Sequence, residues 1–242
     1  MIALQNIKKI GTDITNIAVS SLSNNLINVA FIVINQYLGT RLSLGDAPMN
    51  DAINIATCFS KFGYTVYFMV DPKCSNFISK FNYLIQNTTN DLVFYYIGHG
   101  VIDNELNSNA FLFKDKNCDR YTLSSSISLA QRNDLRLVFI SDCCYAGSII
   151  DLDNGFHINS NIVTISSTNG RQKARQIVAN RKEQGLFTYF LIDALTNEPS
   201  LTIKGCQQLL RPKLKSFSQT ITIHSSKRNY LKQPIIHQRQ TR

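Results

Sequence analysis

The chain has 242 residues, 25 Lys and Arg against 16 Asp and Glu for a formal charge of +9, and 44 % hydrophobic residues. That length buries one sizeable α/β core, and apolar runs no longer than a strand exclude membrane-spanning helices. Six cysteines with no CxxC spacing and no zinc-like pattern with histidine read as reduced thiols of a cytoplasmic, or nuclear, protein. Residues 1–11 lack the apolar stretch of a secretory leader.

Residues 1–27 are rich in Asn, Ser and Thr and read as an extension, or a helix, outside the main sheet. The first strand is expected at 29–34. Asn50 or Asp51 can cap a helix running to about Phe62, with Ala52, Ile55, Ala56 and Phe59 at helical spacing. A second strand is expected at 65–70, a turn at Asp71-Pro72 and a helix at 77–85. The third strand, 92–97, runs into His99. Residues 101–109 read as loop, 110–113 as a short strand and 124–131 as a short helix. The fourth strand, 135–140, runs into Cys144, and a fifth is expected at 161–165. Residues 166–184 form a basic loop with Arg171, Lys173, Arg175, Arg181 and Lys182. Helices at 185–195 and 201–214 and a late strand at 234–236 complete the chain. Strands alternating with helices imply right-handed crossovers and a three-layer α/β/α sandwich with a mostly parallel central sheet.

Two strands carry chemistry. Leu92-Val93-Phe94-Tyr95-Tyr96-Ile97 leads into Gly98-His99-Gly100, and Leu135-Arg136-Leu137-Val138-Phe139-Ile140 leads into Ser141-Asp142-Cys143-Cys144-Tyr145-Ala146-Gly147. Continuous apolar runs read as buried parallel strands, whose carboxyl ends border the ligand crevice. A histidine and a cysteine are thus delivered to one edge. Together they can cut an amide: the thiolate attacks, and the imidazole moves the proton. Adjacent residues of an extended chain face opposite ways, so only one of Cys143 and Cys144 can point at His99.

These residues resemble the caspase-like cysteine peptidases, and among them the metacaspases, over roughly 28–237. The marks are His99-Gly100, Asp142-x-Cys144-x-x-Gly147 continuing to Asp151-Leu152, Asn50-Asp51-Ala52, Ile165-Ser166-Ser167, Gly185-Leu186-Phe187-Thr188 and Gln233-Pro234. The resemblance implies a caspase-like sandwich over 28–242, with a large-subunit-like region to about 165, a basic linker at 166–184 and a small-subunit-like region from about 185. It implies His99 and Cys144 as catalytic residues, with Cys144 rather than Cys143 as nucleophile, and the backbone amides of Gly100 and Cys144 as the oxyanion hole. It further implies cleavage after Arg or Lys, with Asp51 and Asp142 as the acidic pocket. Asp51 as a helix cap is the structural alternative.

The pattern also departs from the metacaspases. Ile97 stands where that family has Ser, and the loop after the histidine carries only Asp103, Glu105, Asp115 and Asp119. Asp151 matches one calcium ligand of the family, but calcium dependence is not expected, because a hard cation wants six to eight oxygens. No cofactor is expected. The expected partners are protein or peptide substrates with basic residues at the cut. The basic linker invites self-cleavage. The residues set no oligomeric state and point to no membrane. From Pro199 onward the chain has no Asp or Glu, but its cations lack interleaved aromatics, so nucleic-acid binding ranks last. The competing reading is a weakly active or inactive caspase-like scaffold that works through protein contacts.

Overall fold

The computed structural model describes residues 2–150, 152 and 160–237. In chain order the elements are α1 (Ile2–Lys8), β1 (Thr12–Asp13), β2 (Leu26–Ile34), α2 (Ala47–Lys61), β3 (Thr65–Val70), α3 (Cys74–Asn87), β4 (Thr88–Ile97), β5 (Gly100–Asp103), β6 (Ser108–Leu112), β7 (Asn117–Asp119), α4 (Arg120–Ser128), β8 (Leu135–Asp142), β9 (Ile162–Ser166), β10 (Gln176–Ala179), β11 (Lys182–Gly185), α5 (Leu186–Asn197), α6 (Ile203–Lys215) and β12 (Thr222–Ser225). The main sheet has the order β1-β3-β2-β4-β8-β9-β12. Its ladders are parallel except for the antiparallel β9–β12 edge.

Strand alternation builds the three layers. Ala30, Ile32 and Ile34 of β2, with Val93, Tyr95 and Ile97 of β4, join one apolar cluster with residues of α1, α2, α5 and α6. The intervening Val29, Phe31, Val33, Leu92, Phe94 and Tyr96 join another, with residues of α3 and α4. Phenylalanines dominate the second face. Phe81 and Phe139 each lie within 5 Å of the Phe94 ring, and Phe77 stacks on Phe113 at 4.9 Å. Because the inner strands are buried on both faces, they read as unbroken apolar runs.

Several boundaries differ from the sequence expectation. Residues 1–27 do not lie wholly outside the sheet. β1 pairs with β3 at its edge, and Ile7 and Ile14 are fully buried. Helix α2 starts at Ala47, with Pro48 in its first turn, so Asp51 sits inside the helix and is not its cap. The expected loop at 101–109 is largely β5 and β6, which join β7 in a small antiparallel sheet. The short helix begins at Arg120, where the Asp119 carboxylate accepts from the amides of Tyr121 and Thr122. The basic 166–184 stretch contains the β10–β11 hairpin. No late strand forms at 234–236 beyond one bridge from Pro234 to Thr202. The last strand is β12, and Ile235 and Ile236 are buried as packing residues. Asp151 and His157 lie outside the described residues.

At the amino ends of the strands, opposite the crevice edge, lies a buried ion pair. Asp91 and Arg136 face each other in register on β4 and β8. Arg136 Nε and Nη2 donate to the two Asp91 oxygens at 2.6 and 2.9 Å, and the Tyr64 hydroxyl also donates to Asp91. The same guanidinium donates to the carbonyls of Pro234 and Ile235 at 2.7 and 3.0 Å, tying the carboxyl-terminal segment to the sheet. Arg136→Met would leave Asp91 buried and uncompensated, which should cost about 3–5 kcal/mol in urea unfolding. The double change Arg136→Met with Asp91→Leu should recover most of that loss. Equal loss in both variants would mean that packing, not charge, sets the cost.

Candidate active site

Ile97 and Asp142 are register partners at the carboxyl ends of β4 and β8. His99 and Cys144 therefore each stand two residues beyond the same rung of the sheet, although 45 positions separate them in the chain. Both line one open cleft of about 240 Å³, with Asp51, Ile97, Asp142 and Gly185 also in its wall. Cys143 turns the other way: it is 1 % exposed and packs in the apolar cluster beneath α3. Its backbone is clamped by Ser167 and Thr168, whose hydroxyls donate to its carbonyl at 3.3 and 3.1 Å.

The imidazole is held from two sides. Its Nε2 donates to the carbonyl of Leu42 at 2.7 Å, which leaves Nδ1 as the nitrogen free to exchange a proton. The Tyr37 ring lies 4.9 Å from the imidazole, and its hydroxyl accepts the His99 amide at 3.0 Å. Tyr37 adopts φ = 54°, a left-handed conformation uncommon for a bulky residue. The Asp71 carboxylate holds this turn by accepting the amides of Gln36 and Tyr37. No pattern in the sequence singled out Tyr37 or the Leu42 carbonyl.

Half-buried Cys144 accepts the Ala174 amide at Sγ, at 3.4 Å. Burial pushes its thiol above the ordinary range. The Ala174 amide and the Lys173 charge pull it back, and Asp142 pushes it up again. Gly100 faces the backbone of Cys144 so closely that any Cβ there would collide with the Cys144 carbonyl. It lies opposite Phe111, next to the rung where Leu112 donates to the His99 carbonyl. Alternation along the ladder therefore directs the Gly100 N–H away from β6.

Two carboxylates bracket Gly185. A Cβ on that residue would lie 2.5 Å from Asp142 Oδ2 and 2.9 Å from Asp51 Oδ2. Asp142 accepts the Thr188 hydroxyl at 2.8 Å, and Asp51 accepts the Gly185 amide at 2.8 Å. Asp51 Oδ1 is buried with no hydrogen-bond partner, and neither carboxylate forms an ion pair among the described residues. Burial raises both acids, and the Asp142 charge raises Asp51 further. Thr188 ends the Gly185-Leu186-Phe187-Thr188 element, and nothing in that residue order signals its hydrogen bond to Asp142.

Three of the four acids after the histidine are engaged locally. Asp103 accepts from Leu106 and Asn117, Asp115 accepts the Cys74 amide, and Asp119 caps α4. Among the described residues no cluster of three His, Cys, Asp or Glu side chains could hold a metal.

The family model described as Caspase domain matches residues 27–242. No curated protein matches the chain. Among solved structures, the chain is similar to the crystal structure of caspase-1 from Spodoptera frugiperda. The two are 14 % identical with a TM-score of 0.63, over 84 % of this chain and 89 % of that one. At that identity the likeness speaks to fold alone.

Proposed function

The chain belongs to the caspase-domain family of cysteine peptidases, and from that premise we propose a metacaspase-like endopeptidase that cuts after Arg or Lys through Cys144 and His99. Burial raises the Cys144 thiol above its ordinary range, so a base takes its proton as it attacks. Nδ1 of His99 fills that role and then returns the proton to the leaving amine, so the acyl-enzyme forms with no net proton change. Water then hydrolyses the thioester with the same imidazole as base. The amides of Gly100 and Cys144 are the proposed donors to the oxyanion, worth about 3 kcal/mol each at the transition state.

The carrying observation for specificity is the pair of uncompensated carboxylates at Gly185. A guanidinium or ammonium would supply the missing donors to Asp51 Oδ1 and neutralise the mutual repulsion. It would also remove the Asp142 charge that opposes ionisation of Cys144. Ile97 adds an apolar wall suited to the aliphatic stem of such a side chain. Calcium is assigned no role; Asp103, Asp115 and Asp119 each accept local hydrogen bonds.

Fluorogenic peptides ending in Arg, Lys or Asp before the reporter test the proposal. Arg and Lys substrates should exceed Asp by at least about 10³-fold in kcat/KM, because an acidic side chain would meet two buried carboxylates. Faster cleavage after Asp would overturn it.

A further inference from the structure

A second cavity, of about 490 Å³, opens on the same rim of the sheet, over the ends of β3 and β2 rather than β4 and β8. Tyr37, Leu38, Leu42, Leu112 and Phe113 make its apolar wall. Three of these residues hold His99. Tyr37 packs on the ring and takes the His99 amide, the Leu42 carbonyl takes Nε2, and the Leu112 amide donates to the His99 carbonyl. The histidine and its supports are thus the partition between this cavity and the cleft of Cys144.

We propose that this cavity is the subsite for substrate residues on the leaving side of the scissile bond, and that it selects a large apolar side chain. The inference rests on the peptidase reading above. The basic side chain of the substrate is assigned to the Asp51–Asp142 side of Cys144. The amine that His99 protonates belongs to the departing half of the substrate, so that half must pass the imidazole. Beyond the imidazole along the rim lies this cavity. An extended chain advances about 3.3 Å per residue, so the second or third leaving-side residue clears the Tyr37–His99 pair.

Charge does not choose the occupant. Lys114 and Lys116 in its wall are equalled in number by Asp71 and Asp115. Each of those carboxylates already accepts backbone amides. What remains unsatisfied is apolar surface: Leu38 is 59 % and Leu42 49 % exposed, on a loop braced by the hydrogen bonds to Asp71. An apolar substrate residue seated there would cover both.

The test uses internally quenched peptides with Arg fixed before the bond and Gly, Asp, Lys, Leu or Phe placed in turn at the second and third leaving-side positions. An Arg coumarin amide, which has no leaving-side residues, is run beside them. Leu and Phe peptides should give kcat/KM roughly tenfold above Gly, Asp and Lys. Leu38→Ser should flatten that preference while the coumarin amide is cut at the unsubstituted rate. A flat panel with the coumarin amide still cut would overturn the subsite alone, as would a Leu38→Ser loss that is equal on both kinds of substrate. No cleavage of the coumarin amide or of any peptide would overturn the peptidase reading and the subsite together.

Discussion

Cys144→Ala should abolish peptide hydrolysis, with a fall of roughly 10⁴-fold or more in kcat, while Cys143→Ala keeps the activity and loses stability. The two neighbours differ in what surrounds them. Cys144 is half-buried in the wall of the cleft that also holds His99. Cys143 is buried in the core, where desolvation raises its thiol well above the ordinary range, so it supplies neither access nor charge to a substrate. Trimming it to Ala opens a small cavity and should cost about 1–2 kcal/mol. A thiol alkylator read by mass spectrometry gives an independent check. Of the six cysteines, all free, Cys144 alone is not buried, so one adduct should form quickly and coincide with inactivation. Activity that survives Cys144→Ala but not Cys143→Ala would reverse the assignment.

Much of this arrangement was legible before any coordinates. The inner strands show as unbroken apolar runs because they are buried on both faces. Strand ends that continue into His-Gly and Asp-x-Cys place His99, Asp142 and Cys144 on one edge, once the parallel register is assumed. The parts that escaped have weaker local signals. β1 is two residues, Thr12 and Asp13, with no apolar pattern of its own, and it forms because β3 offers an edge. The β10–β11 turn takes Asn180 and Arg181 at φ of 54° and 61°, a hairpin geometry usually announced by Gly at the second position. Pro234-Ile235-Ile236 is apolar enough to resemble a strand, yet the ladder goes to the more polar Thr222–Ser225, whose edge position tolerates water. Tyr37 and the Leu42 carbonyl escaped for a different reason. They act on His99 through a strained turn and a backbone oxygen, and neither leaves a mark in the order of residue types.

Asp51→Asn should both impair the enzyme and stabilise it, and that combination separates a binding carboxylate from a structural one. In the free protein the two acids repel each other while buried, and both are raised above the ordinary carboxylate range. Between the unfolded and the raised folded values, the folded state binds more protons than the unfolded state, so stability falls as pH rises through that window. The protein should therefore lose Tm as pH rises above the ordinary Asp value of about 3.9, on account of this pair. An amide at position 51 removes one charge and can still accept the Gly185 N–H, while its NH₂ group can donate towards Asp142. Tm near pH 7 should rise, by about 2–4 °C for each kcal/mol relieved in a chain of this size. Cleavage after Arg should fall by about 10²-fold or more in kcat/KM, since the guanidinium loses an ionic partner inside a desolvated pocket. In the unsubstituted enzyme kcat/KM for Arg peptides should drop at acidic pH with an apparent pKa above the usual carboxylate value, as the pocket protonates. In Asp51→Asn that limb should move down, because Asp51, the acid raised by both burial and a neighbouring charge, no longer titrates. A variant that loses Tm and cleavage together would place Asp51 in the scaffold instead.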